Sequence, residues 1–256
     1  MQTTSIIIHI SNWIKKYAIS CDSHGFVVGI SGGIDSAVTS VLAAKTGLNL
    51  ICVEMPIHQN KKQVERGVKH IKWLKENFSN VSSIKTDLTS IFDEFVKTLT
   101  NKNTNELALA NSRARLRMTT LYCLAQTNNS LVLGTGNKVE DFGVGFYTKY
   151  GDGGVDISPI ADLLKSEVYN LGQELGINND ILIAAPTDGL WQNEKTDEDQ
   201  IGATYTELEW AMNFKRNEVH LSEREKKVLQ IYTTLNRANQ HKMTEIPVCK
   251  IPQQLK

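Results

Sequence analysis

Apolar residues Ile6, Ile7, Ile10, Trp13, Ile14 and Tyr17 recur at the spacing of one helical face, which predicts an amphipathic helix at the start of the chain. Gly25 then opens the short apolar run Phe26, Val27, Val28 and Ile30, the signature of a buried strand. After the turn Ser31-Gly32-Gly33, helical spacing resumes through Ala37, Val38, Val41, Leu42 and Ala44 to Gly47, and Leu50 to Val53 predict a second strand that ends at Pro56. A strand, helix and strand unit is therefore complete by residue 54. Farther on, a charged helix over 63–76 leads to a strand segment over 81–88, and a long helix over 106–126 leads to the apolar strand Leu131-Val132-Leu133. Helical patterns then occupy 165–175, closed by Gly176, 204–214, and 222–238 with Val228, Ile231, Tyr232 and Leu235 on one stripe.

This alternation predicts an α/β fold: a doubly wound, mostly parallel sheet flanked by helices, followed by a helical carboxyl-terminal section. The chain shows no internal repeat, low-complexity tract or linker, so residues 1–256 read as one domain.

Composition narrows the function classes. With 256 residues, 41% of them hydrophobic and 22% charged, the chain has apolar material for one generous core, which excludes disorder and fibrous repeats. Lys and Arg total 28 and are cancelled by 28 Asp and Glu, so no global field holds a polyanion, and nucleic acid is not expected as a main partner. Apolar runs such as Ile6-Ile7-Ile8 fall far short of the roughly 20 residues of a membrane helix, so no membrane association is expected either. Polar Gln2 to Ser5 and the interruptions at His9, Asn12, Lys15 and Lys16 do not fit a signal peptide. Cys21, Cys52, Cys123 and Cys249 are scattered without the close pairs of zinc or redox motifs. Buried, reduced thiols in a cytoplasmic protein are the expectation.

The most informative segment is Gly29-Ile30-Ser31-Gly32-Gly33-Ile34-Asp35-Ser36. It follows an apolar strand and opens a helix, the setting in which backbone N–H groups hold phosphate oxygens. No lysine precedes Ser36, so this is not the lysine-containing phosphate loop, and it lacks the three-glycine spacing of a dinucleotide fingerprint. Asp35 is the telling residue. A carboxylate beside a phosphate cradle repels its ligand unless a divalent cation lies between them, and magnesium is normally held by one or two carboxylates plus substrate phosphates. The competing reading is a Gly-Gly turn in which Asp35 and Ser36 merely cap the helix.

Other positions carry the same kind of choice. Glu140 lies just past the strand 131–133, at the sheet end where open α/β folds place ligands, and reads either as a solvated acid or as a second carboxylate sharing magnesium with Asp35. On the helix 106–126, Leu107, Ala110, Ala114, Met118, Leu121 and Ala125 form a core stripe, with Asn111 and Arg115 on one edge and Arg117 on the other. Lys165 opens a helix, where a cation opposes the dipole unless an anion is bound nearby. Tyr150 to Asp156 holds three glycines in seven residues and predicts a tight loop close to a ligand or an ordinary surface turn. His241-Lys242 read as a polar tail after the last helix.

The string Ser31-Gly32-Gly33-Ile34-Asp35-Ser36 resembles the signature of the PP-loop ATP pyrophosphatases, which grip the β,γ-pyrophosphate while ATP is cleaved between its α and β phosphates. Two further strings choose within that group: Leu133-Gly134-Thr135-Gly136-Asn137-Lys138-Val139-Glu140, and Gly145-Phe146-Tyr147-Thr148-Lys149-Tyr150-Gly151-Asp152-Gly153-Gly154-Val155-Asp156. With supporting blocks at 111–118, 159–167, 185–191, 196–198 and 241–242, nearly the whole chain resembles ammonia-dependent NAD synthetase. The resemblance implies an adenine-nucleotide α-hydrolase-like fold and a homodimer. It also implies ATP-dependent amidation of deamido-NAD with ammonia through an adenylated carboxylate, giving NAD, AMP and pyrophosphate. Amidation of nicotinate mononucleotide, or another PP-loop ATP pyrophosphatase activity, is the alternative. No residues are left over for a glutaminase domain, which implies free ammonia or ammonia from another protein.

Carried over onto this sequence, the resemblance implies that Gly29, Ile30, Ser31, Gly32, Gly33, Ile34, Asp35 and Ser36 bind ATP together with Thr135, Lys165 and Thr187. Asp35 and Glu140 would hold Mg2+, and Arg115, Lys149, Asp156, His241 and Lys242 would bind deamido-NAD. The catalytic residues are then Asp35, Lys165, which polarises the triphosphate, and Asp152, which accepts a proton from ammonium. Gly136-Asn137-Lys138 departs from the acidic or His-containing tripeptide frequent at this place, which implies a different adenine environment. The polar stretch 192–199 is expected to be a lid that orders when both substrates bind, and the helix 106–126, apolar over more than one stripe, to lie at a twofold interface.

Overall fold

The residues described by the computed structural model are 1–99, 105–187, 196–215 and 220–256. Strand alternation decides the layering. In β1 (Gly25–Gly29), Phe26 and Val28 enter one apolar cluster and Val27 the other; in β2 (Asn49–Glu54), Leu50 and Cys52 join the first, Ile51 and Val53 the second. Both faces of these strands are therefore buried, the condition under which a sheet is parallel and covered by helices on each side. β3 (Val81–Lys85) pairs with β2 and β4 (Ser130–Val132) with β1, all parallel, in the spatial order β3-β2-β1-β4. The chain moves outward from β1 to β2 and β3, then returns to the opposite side of β1. A crevice opens where that order reverses, between the carboxyl ends of β1 and β4.

One face is covered by α1 (Thr3–Ser20), α2 (Ile34–Ala44), α3 (Lys61–Asn77), α6 (Lys165–Glu174) and the short α7 (Asn179–Leu182). The other carries α4 (Thr89–Thr98) and α5 (Glu106–Thr127). A separate cluster joins a π-helical turn, Val139–Val144, to α8 (Asp197–Ile201), α9 (Tyr205–Asn213) and α10 (Glu223–Met243). Each of these last three helices starts at a reciprocal cap: Thr196 with Asp199, Thr204 with Glu207, and Ser222 with Glu225.

Several expectations shift. The stretch 81–88 is a strand only to Lys85; Thr86 N–H still bonds Glu54 O, but Leu88 turns inward and starts α4. Leu107 is exposed, whereas Ala110, Ala114 and Ala125 farther along α5 are buried. α10 continues to Met243, so His241 and Lys242 occupy its last turn and are not a tail. Of the four thiols only Cys52 is buried; Cys21 caps α1, Cys123 faces outward on α5 and Cys249 lies beyond α10.

Candidate active site

The segment between β1 and α2 ties itself into a loop. Gly33 N–H and Ser31 N–H donate to the Ser31 and Ser36 hydroxyl oxygens at 3.2 Å each, and the Ser36 hydroxyl donates to Gly33 O at 3.0 Å. Gly32 has φ +82°, and a Cβ there would collide with the Gln63 carbonyl of α3. Only glycine meets both conditions. α2 has no side-chain cap, so its first-turn N–H groups are open to an anion at the positive end of the helix dipole.

Four side chains from distant segments converge beside this loop: Asn137, Glu140, Lys165 and Tyr205. Lys165, the first residue of α6 and 3% exposed, places Nζ 2.6 Å from Asp35 Oδ2 and 3.0 Å from Glu140 Oε1. Asn137, fully buried, donates from its amide to Asp35 Oδ1 at 3.0 Å, while its Oδ1 accepts from the N–H groups of Val139 and Glu140 at 3.1 and 3.2 Å. One side chain thus locks the turn after β4 to the phosphate loop. Tyr205 of α9 donates to Glu140 Oε1 at 2.6 Å, lies 3.4 Å from Asp197 Oδ2, and sets its ring centroid 4.7 Å from the Lys165 ammonium.

Electrostatics follow from burial and partners. Burial opposes the charge on Lys165, but Asp35 and Glu140 more than compensate and raise its pKa above the ordinary lysine value. Burial would likewise raise Glu140; the Lys165 charge and the Tyr205 hydroxyl hold it below the usual glutamate value. Asp35 is raised, because burial and the Glu140 charge outweigh Lys165. Asp141 is pushed up to about 8 by burial and by the charges of Glu140, Asp152 and Asp35. Asp152, which accepts the Thr148 N–H at 3.0 Å, is also raised, chiefly by burial.

These groups line a cavity of about 250 Å3 at the sheet switch point. Of the residues singled out from sequence, Gly29, Ile30, Ser31, Gly33, Ile34, Asp35, Ser36, Thr135, Glu140, Asp152, Lys165 and Thr187 all line it. Gly32 belongs to the loop but faces α3. The five residues carried over as dinucleotide contacts are not among those lining it. Arg115 donates to Lys149 O at 3.3 Å, Lys149 Nζ to His241 O at 2.6 Å, and Lys242 Nζ to Tyr147 O at 2.7 Å and to Gly145 O. They form a chain of contacts along the end of α10 and the outer edge of α5. Asp156 accepts from the Tyr122 hydroxyl at 3.0 Å and the Val132 N–H at 2.7 Å, which anchors the loop to β4.

Sequence reasoning missed Gln63, Arg66, Arg117 and Tyr205 as parts of this neighbourhood. Gln63 and Arg66, one helical turn apart at the start of α3, were legible as a polar edge, but nothing local says that the edge meets the phosphate loop. Of the expected lid, 192–195 lie outside the described residues. Thr196 to Asp199 begin α8, with Asp197 N–H bonded to Pro186 O at 3.0 Å.

Comparison with known proteins gives the family and the fold. A family model described as NAD synthase matches residues 6–246. An NH3-dependent NAD+ synthetase of Mesoplasma florum is 39% identical over 212 residues, 82% of this chain and 84% of that protein. Another, of Alkaliphilus oremlandii, is 36% identical over 255 residues, 96% of each. A solved structure of NMN synthetase from Francisella tularensis superposes with a TM-score of 0.86 at 33% identity, covering 99% of both chains.

Proposed function

The chain belongs to the NAD synthase family, ligases that form a C–N bond, and on that premise we propose that it amidates deamido-NAD with ammonia and ATP, releasing AMP and pyrophosphate. The observation that carries the proposal is the convergence of the self-tied loop, Asp35, Glu140 and Lys165 at the mouth of one cavity. A free carboxylate is a poor electrophile, so the pyridine carboxylate first attacks the α-phosphorus of ATP, and ammonia then displaces AMP from the mixed anhydride. The α2 N-terminus holds the β,γ-phosphates, and Lys165, charged and fixed between two carboxylates, faces the charge that develops on the departing pyrophosphate. Thr135 and Thr187 lie where they can contact the nucleotide. Asp152, with its raised pKa, accepts a proton from ammonium.

The donor set fits magnesium. Asp35 and Glu140 are two carboxylates against one ammonium, and Asp141, Asp152 and Asp197 add acid to the same cavity wall, so a triphosphate seated here calls for another cation. Among the described residues no group of three or more His, Cys, Asp or Glu forms a complete metal site, which suits an ion whose remaining ligands are phosphate oxygens and water. When bound, Mg2+ neutralises the β,γ-phosphates and lowers the cost of their departure. Residues 1–256 act as a single ligase domain. Arg115, Lys149, Asp156, His241 and Lys242 take the dinucleotide, and two copies pair so that this outer cluster abuts a partner's cavity. The site of action is the cytoplasm; no helix among the described residues is long and apolar enough to cross a membrane.

The likeness to the Francisella NMN synthetase favours a second reading, amidation of nicotinate mononucleotide by the same steps. Pyrophosphate release with ATP, Mg2+ and ammonium, using deamido-NAD or nicotinate mononucleotide and omitting each component in turn, separates the two. Faster turnover of deamido-NAD is expected. Strict preference for the mononucleotide overturns the first reading, and release without any pyridine substrate overturns both.

A further inference from the structure

α3 presses on the phosphate loop from the side opposite Lys165. Gly67 sits against Ile30 and the Gly32 backbone, and this close approach brings Arg66 to the rim of the cavity, where its Nε–H donates to Gly32 O at 3.2 Å. A guanidinium carries five N–H donors in one plane, so a single bond from Nε fixes its orientation and leaves the terminal nitrogens for a second acceptor. The loop needs such a cation. Lys165 reaches it through Asp35 and Glu140 and is already neutralised by them. Arg66 bonds the side of the loop marked by Gly32, whereas Asp141, Asp152 and Asp197 make the wall beyond acidic.

We propose that Arg66 binds the terminal phosphates of the nucleotide: held on Gly32 O through Nε, it donates from its terminal nitrogens to the β,γ-pyrophosphate and stays on it after cleavage. The proposal deepens the reading of the loop as an ATP-cleaving site and rests on it. Lys165 then serves the reacting side of the triphosphate and Arg66 the leaving side. Arg66 recognises phosphates and not adenosine, so its loss weakens ATP and pyrophosphate while sparing AMP.

Calorimetric titration of the full chain with magnesium pyrophosphate, and separately with AMP, tests this in the parent, Arg66→Lys and Arg66→Ala proteins. Pyrophosphate affinity is expected to fall about tenfold or more in Arg66→Ala and by less in Arg66→Lys, with AMP affinity unchanged within about twofold. In turnover, KM for ATP rises by the same factor and KM for the pyridine nucleotide holds. Unchanged pyrophosphate affinity overturns the proposal, as does no pyrophosphate binding by the parent. Equal losses for AMP and pyrophosphate overturn it as well, since they assign Arg66 to bracing the loop alone. If Arg66→Ala does not fold, Arg66→Gln decides by the same titration. Because binding is read without turnover, a parent that binds pyrophosphate but forms no amide product counts against the ligase reading and not against Arg66.

Discussion

At the scale of single residues, charge and burial decide what each side chain can do. Asp35 meets Lys165 and Asn137 through different oxygens, so Asp35→Asn keeps the shape and one acceptor while removing the charge. Turnover is expected to fall roughly 100-fold or more in saturating Mg2+ with the unfolding midpoint nearly unchanged. Steady-state rates and circular dichroism on the same preparation check both halves. His70 gives a test away from the site. It is buried, with Nε2 2.9 Å from the Ser40 hydroxyl and its ring stacked on Trp73, and burial lowers its pKa from 6.5 to about 4. The unfolded chain therefore takes up this proton first. The neutral form's contribution is complete above pH 6.5 and is lost as pH falls through the window down to about 4, to a ceiling of roughly 3 kcal/mol. Urea unfolding from pH 7.5 to 4.5 should show that decline in the parent and a flatter profile in His70→Gln.

Elements meet in this protein at close approaches that leave no room for a further side chain. The turn between β4 and the π-helical segment is one case, because the Asp141 carboxylate occupies the space where a Cβ on Gly136 would lie. Gly136→Ala should destabilise by about 1–3 kcal/mol through overpacking, and Gly136→Ala with Asp141→Ala should recover most of that loss. A double-mutant cycle on urea midpoints measures the coupling. Additive losses would locate the strain in the backbone and not between these two groups. The same junction carries Asn137 and Glu140, so the packing of one turn sets the geometry of both the Asp35–Glu140 pair and the loop after β1.

For the whole molecule, the open question is what the outer faces meet. α4 exposes Ile91 and Phe95, α5 exposes Leu107, and the contacts of Arg115, Lys149, His241 and Lys242 lie on the same side of the chain as the α5 edge. A paired assembly buries such surface and is the commonest soluble oligomer. Sedimentation is expected to give twice the chain mass. Mixing Asp35→Asn subunits with subunits carrying His241→Ala and Lys242→Ala, each impaired alone, should restore part of the activity if the outer cluster serves a partner's cavity. A verified mixed dimer without recovery would defeat that sharing, and a fully active monomer would defeat the dimer.

The amino-acid sequence by itself determined what depends on neighbours in the chain. Period-two alternation in β1 and β2 specified two buried faces, and Ser or Thr three residues before an acid specified the starts of α8, α9 and α10. Ser31 to Ser36 specified a loop that bonds to itself, which is why the loop and Asp35 are legible in the chain's local pattern. Helix α4 is not, because its N-cap position is Leu88, an apolar residue that supplies no side-chain cap. Tertiary structure alone decided the meetings: Lys165 with Asp35 across 130 positions, Tyr205 with Glu140 across 65, and Arg66 with Gly32 across 34. Periodicity tells which face of a helix is buried, but the reach of a side chain depends on where each helix settles on the sheet. That placement is set by the summed packing of the two apolar layers, a property of the whole fold.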